Sequence, residues 1–240
     1  MARRRTAELL ETRSLSPSVR SLTFRMIDGR ALGQVAGQYV DLIVPTRRGV
    51  PFRRSYSIAS GPRATPPDIF EIAVTRVPGG VTSEALHEAE RGAIVEVEGP
   101  QGTFVRHPED RFHPALFVAT GTGLAPIRAL LSEEVDQPDG PPLVLLFGCR
   151  TPTDVLWADE LRGWARECPR LELHVTLSRP TPDWTGRSGY VQGHVPELAA
   201  TLRGARAYVC GIGAMVDDVV ALLLRTAGLP REAVHYEPYD

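Results

Sequence analysis

Cysteine is scarce in this chain, and its scarcity excludes several kinds of protein. The 240 residues contain three, Cys149, Cys168 and Cys210, an odd number set far apart, which fits neither a disulfide framework nor a closed zinc or iron–sulfur site. Any iron–sulfur centre that works with the chain is therefore expected on another protein. The six histidines are scattered as well; His107 and His113 are closest, at a spacing that matches no helical metal motif and completes no catalytic triad. Long apolar runs are also missing. Residues 219–224 form one of the longest, far short of the roughly 20 needed to span a bilayer. No hydrophobic segment follows the basic start at Arg3, Arg4 and Arg5, so no secretion signal is expected. Charge of one sign is not in excess either: 27 basic against 29 acidic side chains leave a net charge of -2. This balance gives no reason to expect nucleic acid or a membrane surface as partner, and a cytoplasmic protein is expected. There is no internal repeat and no low-complexity segment.

What is present is an ordinary globular composition, 42% hydrophobic and 23% charged, in a chain long enough for two domains. The hydrophobic period changes near residue 113. Before it, alternation dominates: Leu22, Phe24 and Met26 share one face, as do Val40, Leu42 and Val44, and Phe70, Ile72 and Val74, with Thr23, Asp41, Glu71 and Thr75 opposite. Residues 93–98 read the same way. Turn signals at Asp28-Gly29, Arg48-Gly49 and Gly61-Pro62 separate these strands, which predicts an antiparallel β-barrel with one helix near Ser83, capped by that hydroxyl. Beyond residue 113, runs dominated by apolar residues at 115–119, 143–147, 171–177, 207–210 and 233–236 alternate with helical patterns. One helix is expected from Ala125 to about Val135. A second carries Trp157, Leu161 and Trp164 on one stripe, and a third passes through Val216, Val219 and Leu223 to a stop at Gly228 and Pro230. Strands buried on both faces and interleaved with helices predict a doubly wound parallel α/β sheet. The expected division is a barrel over 1–112 and the α/β domain over 113–240.

Four segments stand in order along this framework: Arg54-Ser55-Tyr56-Ser57, Gly79-Gly80-Val81-Thr82-Ser83, Gly121-Thr122-Gly123-Leu124-Ala125-Pro126 and Cys210-Gly211-Ile212-Gly213-Ala214-Met215. The Arg54 guanidinium is a rigid planar fork suited to phosphate oxygens. Gly79 and Gly80 permit a tight turn with backbone N–H groups close to an anion, and Thr82 and Ser83 add hydroxyls at a helix N-terminus, where the dipole favours negative charge. The segment at 121–126 follows a buried strand and opens a helix, as a dinucleotide-binding turn must; Pro126 in the first helical turn costs no hydrogen bond. Cys210 and Gly211 end a strand of the parallel sheet, and ligands of such sheets bind beyond the carboxyl ends of strands.

In this order the motifs resemble the ferredoxin–NADP reductase superfamily, and the resemblance extends to Gly99-Pro100-Gln101-Gly102-Thr103-Phe104 and Phe147-Gly148-Cys149-Arg150. It implies an FAD-binding barrel joined to a nicotinamide-nucleotide-binding α/β domain. Arg54 then contacts the FAD pyrophosphate, and Tyr56 lays its ring on the isoalloxazine. Ser57, taken to share a strand face with it, hydrogen-bonds near flavin N5; Ser55 and the 79–83 turn, including Val81, complete the flavin site. Gly121, Thr122 and Gly123 face the pyrophosphate of NADP or NAD, and Cys210, with Gly211 and Met215 beside it, places the nicotinamide. Glu237 resembles a carboxylate near the same place, and Tyr239 is a candidate to cover the flavin until nicotinamide displaces it. Ser178, Arg179 and Arg187 belong on the adenosine side, where an arginine that pairs with a 2'-phosphate gives a slight lean to NADPH over NADH.

The activity implied is hydride transfer from NAD(P)H to FAD across a cleft between domains. Electrons then pass one at a time to ferredoxin or another one-electron acceptor on a separate chain, docking on basic residues such as Arg47 and Arg48. A free-flavin or ferric-complex reductase would share these motifs while holding flavin loosely. A non-catalytic nucleotide-binding module of the same fold would be expected to lack Ser57 or the glycine turn. FMN in place of FAD also stays open, although the flavin motifs fit FAD better by resemblance.

Overall fold

The computed structural model describes residues 4–44, 51–137 and 139–239, so Arg47, Arg48 and the turn at Arg48-Gly49 lie outside the described residues. The chain separates into two compact units, Met1–Val105 with Arg128–Glu133, and Arg106–Ile127 with Glu134–Asp240.

In the first unit, strands β1 (Arg5–Ser14), β2 (Val19–Met26), β3 (Tyr39–Val44), β4 (Phe52–Ser57), β5 (Ile69–Thr75) and β6 (Ile94–Gln101) form one antiparallel sheet in the order β4-β3-β6-β1-β2-β5. A bridge between Ile58 and Ile72 joins the end of β4 to β5, so the sheet curls until its two edges meet. The expected alternation holds: Leu22, Phe24, Met26, Val40, Leu42, Phe70, Ile72 and Val74 share one buried cluster. Phe24 and Phe70, paired across β2 and β5, stack at 5.4 Å. Asp41 departs from the pattern. Expected on the wet face, it is only 4% exposed, because β3 lies between β4 and β6 and that face is covered by polar side chains reaching for its carboxylate.

The helix of this unit, α1 (Val81–Glu88), starts two residues before Ser83, with Gly80 at its N-cap and no side-chain cap. Ser83 does not cap it. Its hydroxyl instead accepts from the Val77 N–H (3.1 Å) and lies 3.0 Å from the Gly80 carbonyl, bracing the turn from inside. The helix packs on β4 and β5.

The second unit holds β7 (Ala115–Thr120), β8 (Leu143–Cys149), β9 (Leu171–Leu177), β10 (Arg187–Ser188), β11 (Arg206–Ile212) and β12 (Val234–Tyr239), all parallel, in the order β10-β9-β8-β7-β11-β12. Helix α2 (Leu124–Ser132) begins among them but belongs to the first unit from Arg128 onward, and helices α3 (Ala158–Glu167), α4 (Val195–Thr201) and α5 (Gly213–Arg225) accompany the strands. Successive strand residues serve opposite faces. Leu116, Val118, Val144, Leu146 and Val209 join α4 and α5 in one cluster, while Phe117 stacks on Tyr208 at 5.3 Å. Burial of such a side chain contributes roughly 1.5–3 kcal/mol, which is why these strands read as unbroken apolar runs.

Three boundaries differ from expectation. Helix α2 ends at Ser132, whose hydroxyl bonds the Ala129 carbonyl (2.8 Å), and the next two carboxylates turn away to Arg63 and Arg106. Trp157 precedes α3 in a left-handed conformation (φ 46), and its carbonyl receives the Leu161 N–H. Ala233 lies in a short helical turn before β12. Strands β1 and β10 and helix α4 were not foreseen. Among the described residues no helix is long and apolar enough to cross a membrane.

Candidate nucleotide and flavin sites

In the second unit the strand order reverses at β7: β8, β9 and β10 extend to one side, β11 and β12 to the other. This is the topological switch point, where the carboxyl ends of neighbouring strands open a crevice for ligands. The segment Gly121–Gly123 leaves β7 there, and Cys210 and Gly211 end β11 beside it. The two backbones approach so closely that a Cβ on Gly123 would strike the Cys210 carbonyl, and one on Gly211 would strike the Thr120 hydroxyl and the Met215 methyl. Gly121 has a positive φ of 53, which an L side chain rarely adopts. Backbone packs directly on backbone here, so a side chain at Gly123 or Gly211 does not fit without displacing its neighbours.

Side chains at this crevice are few. The Tyr239 hydroxyl donates to the Thr120 carbonyl (2.8 Å). Burial pushes its phenol up, opposed in part by hydrogen bonds from Thr122 and from the Gly123 backbone, so the hydroxyl lies within the glycine turn. Cys210 stands opposite Glu237 in the β11–β12 register. Burial first, and the Glu237 charge second, push the Cys210 thiol up, which favours its neutral form. Thr120 Oγ1, which the sequence reading did not single out, is buried without a hydrogen-bond partner at the mouth of the turn. Its only sequence signal is its place immediately before the glycines.

Ser178 and Arg179, expected on the adenosine side, follow β9, and their N–H groups donate to the carbonyls of Cys149 (3.0 Å) and Arg150 (2.8 Å) at the end of β8. Both Arg150 and Arg179 are exposed, so two guanidinium groups leave adjacent strand ends. Arg150 was quoted within a motif but not recognised as a site residue. Arg187 is differently engaged. Its guanidinium forms a two-pronged pair with Glu197 (3.1 and 3.2 Å) on α4 and reaches His174 Nδ1 (3.2 Å), which fastens β10 to its neighbours.

The first unit presents β4 almost bare: residues 52–55 are exposed, and Tyr56 and Ser57 are half-buried. Strand alternation puts Arg54 and Tyr56 on one face and Arg53, Ser55 and Ser57 on the other, so Ser57 does not share a face with Tyr56. The Tyr56 ring packs on the barrel core, and burial pushes its phenol up to about 12 against the smaller pull of Arg54. Ser55 is committed elsewhere: its hydroxyl donates to Asp41 Oδ1 (2.5 Å), while Arg53 and Gln101 (3.1 Å) bond the other oxygen. At the 79–83 turn, the Gly79 N–H donates to Glu84 Oε1 (2.9 Å) and the Gly80 N–H to the Val77 carbonyl (2.8 Å). Those two amides are therefore occupied. The N–H groups of Val81, Thr82 and Ser83 begin α1 without intrahelical acceptors, the usual anion-binding face of a helix start.

An exposed guanidinium, an aromatic face and a helix start on one barrel suit a flavin nucleotide; a glycine crevice with an orphaned buried hydroxyl at a sheet switch point suits a second nucleotide. Fold and site together define a flavin- and nicotinamide-nucleotide-dependent oxidoreductase. Comparison with known proteins agrees: the oxidoreductase FAD-binding domain family matches residues 6–105 and the oxidoreductase NAD-binding domain family residues 117–221. The chain is 45% identical to ferredoxin–NADP reductase B of Sorangium cellulosum, covering 98% of this chain and 97% of that one. It is 28% identical to the anthranilate 1,2-dioxygenase electron transfer component of Acinetobacter baylyi over 79% of its own length and 54% of that longer protein. The Amycolatopsis cytochrome P450 reductase GcoB has the same fold, with a TM-score of 0.88 at 30% identity over 98% of this chain and 69% of that one. The chain belongs to the ferredoxin–NADP reductase superfamily.

Proposed function

We propose that this protein is an FAD-containing NAD(P)H reductase that takes hydride from the nicotinamide nucleotide and releases electrons singly to a separate protein, a ferredoxin or an oxygenase component. The observation that carries the reading is the packing of the Gly121–Gly123 turn against Cys210 and Gly211 at the switch point. The names of the two sequence relatives, a ferredoxin–NADP reductase and a dioxygenase electron transfer component, support the acceptor class. FAD, when bound, supplies the chemistry, because it accepts two electrons as hydride and gives them up one at a time.

The protein's own groups bind and orient. Arg54 and the first-turn amides of α1 hold the flavin phosphates, Tyr56 supports the isoalloxazine, and Ser57 hydrogen-bonds near the hydride-accepting nitrogen. Gly121, Thr122 and Gly123 receive the nicotinamide-nucleotide phosphates. Neutral Cys210, with Met215 and Glu237 beside it, sets the ring position, and Tyr239 leaves the turn as the nucleotide enters. Orientation of this kind accounts for catalysis without a proton-transferring triad. Residues 1–112 serve the flavin and 113–240 the nucleotide. Arg179, with Arg150 beside it, favours NADPH; Arg187 is spent on Glu197 and has at most a supporting part. Three free thiols suit the reducing cytoplasm, where we place the protein.

Single-turnover reduction of the Ser57→Ala and Cys210→Ala variants tests the site. Both are expected to keep their flavin and to reduce it more slowly. Unchanged rates in both would refute these assignments, and flavin lost on simple gel filtration would favour a free-flavin reductase.

A further inference from the structure

Helix α2 begins at the glycine turn, and its later residues make contacts that neither nucleotide site explains. Arg128 Nη1 donates to the Ala59 carbonyl (2.8 Å) and to Glu71 Oε2 (2.9 Å), and both charged side chains are largely buried, 13% and 12% exposed. Ala59 lies two residues past Ser57, and its N–H donates to the Glu71 carbonyl (2.7 Å). One guanidinium therefore ties the end of the flavin strand to β5. Further along, the Arg63 N–H donates to Glu133 Oε1 (3.1 Å) and the Arg63 guanidinium pairs with the same carboxylate (3.3 Å). Between these clamps, a Cβ on Gly61 would strike the Ser132 hydroxyl and come within 3.2 Å of the Ala129 carbonyl. Residues 59–63 are thus held at three points by residues 128–133.

A buried ion pair is a poor source of stability, since apolar groups of the same shape often serve as well, and its value lies more in fixing geometry. Groups that touch a cofactor depend on such supporting contacts to stay within a fraction of an ångström of their working positions. We propose that Arg128 is a positioning residue for hydride transfer: it locks the Ser57–Ala59 backbone to the helix that starts at the glycine turn, so nucleotide binding at the turn and placement of Ser57 are coupled. This rests on the functional reading above. Coupling of this kind is reciprocal, so flavin occupancy should also alter nucleotide affinity through the same arginine.

The test uses flavin-loaded wild type, Arg128→Gln, Arg128→Lys and Glu71→Gln, with whichever nicotinamide nucleotide bleaches the wild type. Amide hydrogen exchange at Ile58 and Ala59 is expected to slow when the oxidised nucleotide binds the wild type, and to lose that response in Arg128→Gln. The limiting rate of flavin reduction in this variant should fall roughly tenfold or more, the scale expected for misplaced reacting groups. Photochemical reduction, which needs no nucleotide, should stay at the wild-type rate, and lysine should restore part of the loss. Wild-type exchange responses and rates in both Arg128→Gln and Glu71→Gln would overturn the proposal. So would equal losses in photochemical and nucleotide-driven reduction, or loss of flavin from both variants, which would make the pair purely structural. A wild type that no nucleotide bleaches would instead bring down the functional reading, and this assignment with it.

Discussion

The two units prepare for a nucleotide by opposite means. On the barrel, the groups proposed to meet the ligand are side chains of an exposed strand and a helix start, anchored by polar neighbours such as Asp41 beneath Ser55 and Glu84 beneath Gly79. On the parallel sheet, the groups proposed to meet the ligand are backbone, since Gly123 and Gly211 lie against their neighbours with no space for a Cβ. A site made of side chains loses affinity one contact at a time. A site made of close-packed backbone fails through sterics, and its failure reaches the fold.

The sharpest way to break this contrast is Gly123→Ala. Its Cβ would meet the Cys210 carbonyl, a backbone group that cannot swing aside, so an overpacking cost of about 1–3 kcal/mol is expected together with loss of nucleotide binding. Calorimetry and nucleotide titration should show both losses while flavin content stays normal. Arg54→Ala should do the reverse. Loss of a charge-assisted hydrogen bond worth about 1.5–3 kcal/mol should weaken flavin retention some 10- to 100-fold, read by absorbance after dialysis, and leave nucleotide affinity unchanged.

A smaller effect separates two arginines within the second unit. Arg179→Ala should weaken NADPH binding more than NADH binding, whereas Arg187→Ala, by releasing Glu197, should lower thermal stability and leave the NADPH-to-NADH ratio alone. Equal changes with both nucleotides in Arg179→Ala would remove its 2'-phosphate role.

The smallest is a pH effect confined to the second unit. Burial pushes the Asp110 carboxyl up, but hydrogen bonds from Arg206 (2.7 Å) and Tyr208 (3.0 Å) outweigh it and hold the group below the usual aspartate range. A folded-state pKa below the unfolded one means stability that is present above the unfolded value, about 3.9, and is lost as pH falls through the folded value. Melting temperatures of wild type and Asp110→Asn should therefore differ near neutral pH and converge in strong acid.

The fold was legible because each unit has one dominant period. Leu22, Phe24 and Met26 alternate because β2 has one buried face; residues 143–147 do not, because β8 is covered on both. The glycine turn and Cys210 could be placed because a switch point needs those residue types at strand ends. What could not be read depends on partners distant in sequence. Asp41 is buried by Arg53, Ser55 and Gln101, the last 60 positions away, and an alternating pattern contains no sign of it. Arg187 was assigned as an assistant to Arg179, but Glu197 on the unforeseen helix α4, only seven residues long and opened by Val195 and Pro196, decides where its guanidinium goes. Ser83 was assigned as a cap from residue type alone, whereas Gly80 allows the helix to start earlier.

The proposed activity requires that one chain carry both a flavin and the nucleotide that reduces it. An anaerobic absorbance spectrum of the purified protein, taken before and after NADPH and separately NADH, tests this most directly. Flavin bands that bleach with NADPH, and with NADH less readily, are expected. A colourless protein that also fails to reduce added FAD with either nucleotide would contradict it.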